Sequence, residues 1–445
     1  MNTPICDFVD FYKKSGALRL HMPGHKGKNI LGAESSDITE IKGADSLYEA
    51  EGIIAESEQN ASKLFGCPTY YSTEGSSHCI RAMLYLAMIN AKSQGARPRI
   101  AAARNVHKTF LGAAAMLDLD VSFMFSEESE SYLSFSISAE AVERFLSQSK
   151  EKITAVYITA PDYLGSMISV GEIAHICHRY DVLLLVDNAH GAYLRFLKSS
   201  LHPIDHGADI CCSSAHKTLP VLTGGAYLHI SNRLNDVSAA EVKNALSLFG
   251  STSPSYLILQ SLDAANKYIA EGYGHQLESF CKRLALCKEK LSQRGYVFFG
   301  EEPLKLTVCT KKYGYTGYEL ESILHEKGIA CEFADPDYLV MMFTPQNGEG
   351  DITKLTDALL SIPGRQEISE KPPVLRKADK IMRIREAIFS EKETVEIHQS
   401  LGRILASPGV SCPPAVPIIV CGEKINEEAI KCFDYYGIKK LDVVK

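Results

Sequence analysis

The 445-residue chain predicts an α/β protein: a mostly parallel seven-stranded sheet, then a small α+β domain, then a C-terminal appendage. Two observations predict the sheet. Strand-like and helix-like periodicity alternate from about residue 68 to about residue 230, and several of the strands are continuous apolar runs such as "VLLLV", as expected when helices cover both faces. A third, the change of pattern after residue 255, predicts the separate C-terminal parts.

In order, "PTYYS" (68–72) precedes the helical "SSHCIRAMLYLAMINAKSQG" (76–95), and "RIAAA" (99–103) precedes a helix starting near His107. "VSFMF" (121–125) precedes "SAEAVERFLSQS" (138–149), and "ITAVYIT" (153–159) precedes "VGEIAHICHRY" (170–180). "VLLLVD", "DICCSS" and "GAYLHI" complete seven strands. Residues 255–295 read as one or more long helices joining two domains. Residues 296–362 alternate short strands ("LKLTVCT", "YLVMMFT") with helices, and Pro363–Pro373 is a polar, proline-bearing linker. The expected divisions are 1–275, an N-terminal segment with the large domain; 276–365, the small α+β domain; and 366–445, the C-terminal domain.

Composition narrows the function. With 45% apolar residues, 23% charged residues, a net charge of −7 and no dense Lys/Arg cluster, a nucleic-acid surface has no support. The amino terminus "MNTPICDFVDFYKKSG" lacks the basic and apolar regions of a secretory signal, and no apolar run is long enough to cross a bilayer. Thirteen cysteines without a CxxC pair read as reduced structural thiols, so a cytoplasmic location is expected, with no membrane partner. His175 and His178 share one predicted helix, but no ligand cluster completes a set, and no metal site is expected.

In sheets of this kind ligands sit on the loops beyond the strands' carboxyl ends. Lys217, in "SSAHKT" between two apolar strands, is costly to bury as a cation. Asp187 closes "VLLLVD" and raises the same question with the opposite sign. The pair reads either as a buried ion pair or as the amine and acid that pyridoxal phosphate requires, one for its aldehyde and one for its ring nitrogen. In "STEGSS" (72–77), Gly75 allows close approach of backbone N–H groups to a phosphate, and Ser76 and Ser77 offer hydroxyls at a helix start. Ser214 adds another hydroxyl, and His107, at a third strand end, offers a ring to stack on a flat heterocycle. A pyridoxal-phosphate enzyme and a nucleotide-binding protein are the two readings these loops leave.

Taken together, "LRLHMPGHKG" (18–27), "ARNVHKT" (103–109), "DNAHGA" (187–192), "SSAHKTLPVLTGGAYLHI" (213–230), "STSPSY" (251–256) and "PPAVPIIVCGE" (413–423) resemble the Orn/Lys/Arg decarboxylase family. The similarity is to short members without an amino-terminal receiver-like wing domain. It implies the fold-type I, aspartate-aminotransferase architecture and pyridoxal 5'-phosphate as cofactor. It also implies decarboxylation of lysine, arginine or ornithine in a homodimer whose active site lies at the subunit interface. By the resemblance Lys217 carries the cofactor as a Schiff base, Asp187 partners the pyridine nitrogen, and His107 stacks on the ring. Gly75, Ser76, Ser77 and Ser214 bind phosphate, His190 and His216 lie beside the cofactor, and Thr252 (or Ser251) reaches the partner's phosphate. His216 or Lys217 returns the proton after loss of CO2.

The chain departs from the family pattern at Glu74, where Asn is usual, at Asn188, where an acid is usual, and at Pro161–Asp162–Tyr163, where proline-threonine-tyrosine is usual. "PPAVP" replaces a "PPGIP"-like stretch, although Gly422 and Glu423 remain. Glu74, Asp162 and Glu423 are candidate acids for the substrate's distal cation by charge complementarity. The alternatives are another reaction on the same cofactor, such as transamination or a lyase step, and a weakened or non-catalytic cofactor-binding relative.

Overall fold

The computed structural model describes residues 1–93, 95, 97–125, 131–135, 137–408 and 415–445. Helices α1 (Pro4–Lys14) and α2 (Ile53–Phe65) precede the sheet. Its strands are β1 (Thr69–Ser72), β2 (Arg99–Ala103), β3 (Asp120–Met124), β4 (Ala155–Thr159), β5 (Leu183–Asp187), β6 (Ile210–Ser213) and β7 (Ala226–Ile230). They join in the order β1-β7-β6-β5-β4-β2-β3. The expected seven-stranded, mostly parallel sheet is thus present, and β7 is its reversed member, antiparallel to both β1 and β6. The intervening helices are α3 (Gly75–Ser93), α4 (Lys108–Met116), α5 (Ala139–Gln148), α6 (Val170–Arg179), the single turn α7 (Ala215–Thr218) and α8 (Ala239–Ser247).

The expected long helices after residue 255 are α9 (Tyr256–Tyr268) and α10 (Gly274–Gln293). Glu271 and Gly272 lie between them outside helical geometry, Gly272 with φ of 111°, a conformation that glycine alone adopts without strain. Downstream come β8 (Phe298–Phe299), β9 (Lys305–Cys309), β10 (Phe333–Ala334) and β11 (Tyr338–Met342), all antiparallel in the order β10-β11-β9-β8. A two-stranded pair, β12 (Lys392–Glu396) with β13 (Lys440–Val444), ends the chain. Pro413 and Pro414 of the "PPAVP" motif lie outside the described residues. Among the described residues no helix is long and apolar enough to cross a membrane.

Two compact units make up the chain, Met1–Arg97 with Val170–Gln276, and Pro98–Ser169 with Leu277–Lys445. In the first, Asp263 on α9 organises the buried polar groups. Its carboxylate accepts from Ile5 N and Cys6 N at the start of α1 (2.9 and 3.0 Å) and from Ser57 Oγ on α2 (2.6 Å), tying three helices together. In the second, Ile397, Leu405, Ile418, Ile419, Phe433 and Val443 form the core of the C-terminal part.

The first unit also buries two imidazoles. His202 and His229 are fully buried, their rings edge-on at 4.9 Å and both packed against Phe65. Thr69 Oγ1 lies 3.0 Å from His229 Nδ1. Burial lowers both pKa values, that of His202 to about 3. The folded state therefore resists a proton that the unfolded chain accepts from about pH 6.5 downward. His202 contributes fully above that pH and loses its contribution progressively as pH falls toward 3. Urea melts at pH 7.5 and pH 5 should show His202 alone costing about 2 kcal/mol at the lower pH. His202→Leu should flatten that slope; an unchanged slope would remove His202 as the cause.

Candidate active site

Because β1, β5 and β6 run parallel within the first unit, their carboxyl ends open on one edge. The reversed β7 brings its amino end, preceded by Gly224 and Gly225, to the same edge. There Asp187 closes β5 with only 2% of its surface exposed; Oδ1 accepts from Ala189 N at 3.1 Å and lies 3.7 Å from Cys212 Sγ. The chain then folds back tightly: Asn188 O accepts from Gly191 N (2.9 Å), while Asn188 Nδ2 donates to Ser213 Oγ (3.0 Å). A Cβ on Gly191 would fall 1.8 Å from Asn188 Oδ1, so only glycine fits this turn.

This turn brings buried His190 to Lys217, with Nε2 3.1 Å from Nζ. Lys217 sits in α7, capped by buried Ser214, whose carbonyl accepts from Lys217 N at 3.2 Å. Its neighbour His216 donates from Nδ1 to Gly225 O at 3.0 Å. Burial, and then the nearby Lys217 charge, lower the His216 pKa against the opposing pull of that carbonyl. A neutral ring at neutral pH follows, with Nε2 as the acceptor. Lys217 and His216 are half-buried, which resolves the apparent cost of an amine between two core strands.

Gly75 begins α3 with φ of 71°, and its N–H donates to Gly224 O at 2.7 Å. A Cβ there would come within 3.8 Å of His216 Cε1, so the start of α3 lies beside the lysine turn. Ser76 and Ser77 occupy the first turn, half-buried, at the end of a 19-residue helix whose dipole favours an anion. His78 follows, buried and neutral, its pKa lowered chiefly by burial. Thr252 is exposed on the loop after α8.

In the second unit, His107 caps α4: Nδ1 accepts from Thr109 N at 3.2 Å at the end of β2, which fixes the ring's orientation. The three acids considered for a substrate cation are each engaged by the protein. Glu74 Oε1 accepts from Ser251 N at 2.6 Å. Asp162, 3% exposed, accepts from Gly165 N and Ser166 N, both at 2.8 Å, closing its own turn. Glu423 Oε2 accepts from Val420 N at 2.8 Å and meets Arg104 Nη2 at 3.2 Å. Arg104, 3% exposed, also donates to Pro417 O and Ile418 O and lies 5.4 Å from the Phe123 ring centroid. Sequence reasoning passed over Arg104 and His78 because their partners are distant in the chain. Among the described residues no group of three or more His, Cys, Asp or Glu side chains is arranged to hold a metal, and their twelve cysteines are free.

The strand order and the reversed β7 are those of the fold-type I α/β architecture. Residues 3–295 match the Orn/Lys/Arg decarboxylase major domain, and residues 374–440 match the C-terminal domain. An arginine decarboxylase of Bacillus subtilis is 30% identical over 99% of this chain and 94% of its own length. One of Halalkalibacterium halodurans is 30% identical over 96% and 91%. A lysine decarboxylase structure from Francisella novicida superposes with a TM-score of 0.81 at 18% identity, covering 100% of this chain and 81% of that one. The chain belongs to the Orn/Lys/Arg decarboxylase family and is an amino-acid decarboxylase.

Because Glu423 neutralises a buried guanidinium, Glu423→Ala should destabilise the protein by about 3–5 kcal/mol in denaturant melts. KM for substrate measured well below the melting transition should stay near the wild-type value. Unchanged stability with a raised KM would instead make Glu423 a substrate ligand.

Proposed function

We propose that this chain decarboxylates a basic amino acid, arginine first among them, with pyridoxal 5'-phosphate as cofactor, and that it does so as a homodimer with the active site at the subunit interface. The carrying observation is the placement of Lys217 Nζ against His190 beside the buried Asp187 and the amino end of α3. An amine, a buried carboxylate and a helix start suit the aldehyde, the pyridine nitrogen and the phosphate of this one cofactor. Arginine is favoured because the 30%-identical relatives are arginine decarboxylases, whereas the lysine decarboxylase structure is 18% identical.

When bound, pyridoxal phosphate supplies an aldehyde for the substrate amine and a ring that takes up the electron pair left by departing CO2. Asp187, shielded from water, holds the proton on the ring nitrogen. Lys217 Nζ lies 3.1 Å from His190 Nε2, a partner through which the amine can exchange a proton and become nucleophilic. Ser76, Ser77 and Ser214, with the backbone at Gly75, hold the phosphate, and Thr252 reaches the phosphate of the partner subunit. His107, its ring oriented by the α4 cap, would be the residue to pack against the cofactor. Decarboxylation rather than deprotonation would then depend on how these residues position the substrate's carboxylate. The released Lys217 delivers the proton to Cα, or His216 Nε2 does so after first taking one up, since its neutral ring carries the proton on Nδ1.

Purified protein supplied with pyridoxal phosphate should release CO2 from arginine faster than from lysine or ornithine. Lys217→Ala should abolish both turnover and the visible absorption band, and Asp187→Ala should lower kcat by about 10²-fold or more. A band without CO2 from any amino acid would refute the decarboxylase reading, and keto-acid formation would replace it with transamination.

A further inference from the structure

Glu74 stands one residue before Gly75, at the helix start where the proposed function places a phosphate. A carboxylate facing that phosphate would repel it. The side chain instead engages the loop after α8, Oε1 accepting from Ser251 N at 2.6 Å, while Glu74 N–H donates to Ser72 Oγ at 3.1 Å.

The last turn of α8 and the loop that follows it each meet the start of α3 at a further point. His78 accepts from Ser72 Oγ on Nδ1 (2.8 Å) and donates from Nε2 to Leu246 O (2.6 Å). Gly250 packs so closely that a Cβ would fall 1.9 Å from Tyr48 Oη and 3.0 Å from His78 Cε1. These two contacts fix the loop as far as residue 250. Residues 251–253 are exposed, and Glu74 holds the first of them.

We propose that Glu74 is a positioning residue: by reaching Ser251 N–H it fixes residues 251–252 against the amino end of α3, and the same bond keeps its charge turned from the phosphate. This rests on the cofactor assignment above and deepens it. The carboxylate acts through its length as an acceptor, and its charge is incidental. Aspartate, one methylene shorter, would leave a gap of about 4 Å, beyond hydrogen-bonding range, whereas glutamine keeps both reach and acceptor.

Substitution of Glu74 by Gln, Asp and Ala separates reach from charge. Apo-protein of each variant is titrated with pyridoxal phosphate and, as a control, with pyridoxal, which lacks the phosphate; thermal melts confirm folding. Glu74→Gln should bind pyridoxal phosphate within about twofold of wild type, and Glu74→Asp and Glu74→Ala about tenfold more weakly. Pyridoxal should bind all four proteins alike. Tighter binding by both Gln and Ala would overturn the proposal in favour of charge repulsion. Wild-type affinity in all three, with a raised KM for arginine, would overturn it in favour of a substrate ligand. These titrations need no turnover, so failure to decarboxylate would refute the functional reading while the ranking of variants still decides the role of Glu74.

Discussion

The antiparallel return of β7 against β6 is the constraint on which the rest of the first unit's site depends. It carries the Gly224–Gly225 pair back to the edge where β1, β5 and β6 end, and the two carbonyls there serve different loops. Gly224 O holds the N–H of Gly75 at the start of α3, and Gly225 O holds both the backbone N–H and the imidazole of His216. The pair has to be glycine. At Gly224, with φ of 102°, a Cβ would lie 2.7 Å from Thr73 O, and at Gly225 it would lie 2.2 Å from Val221 Cγ1. One reversed strand therefore sets the distance between the anion-favouring helix end and the lysine turn.

The polar groups at this edge are ordered by short-range geometry. A three-residue turn from Asp187 brings His190 to Lys217, and a single helical turn carries Lys217 itself. Each catalytic candidate in the first unit thus lies within a few residues of a strand end, held by backbone hydrogen bonds. Such preorganisation limits how far the groups must move when charge develops.

The fold was legible because its strands are short apolar runs at regular spacing, and Lys217 and Asp187 were legible because chemically costly residues stood at the ends of such runs, whereas His190 was marked only by the family resemblance. Other features were illegible for physical reasons. Glu74 meets Ser251 across 177 residues and Arg104 meets Glu423 across 319, pairings that local periodicity does not encode. Glu74 read from sequence was simply a negative charge near a phosphate or a substrate cation. The structure gives it a partner that is a backbone N–H. Gly272 is a comparable case, since a lone glycine in a helical pattern does not announce whether it will take a positive φ. Nothing in the local sequence marks His202 and His229 for burial, because Phe65, which packs against both, is distant in the chain.

The central claim is that the amine of Lys217, and no other lysine of this chain, carries the cofactor. Borohydride reduction of protein loaded with pyridoxal phosphate, followed by proteolysis and peptide mass spectrometry, tests it most directly. The account predicts a stable pyridoxyl adduct on Lys217. An adduct on a different lysine, or none in protein shown to bind the cofactor, would contradict it.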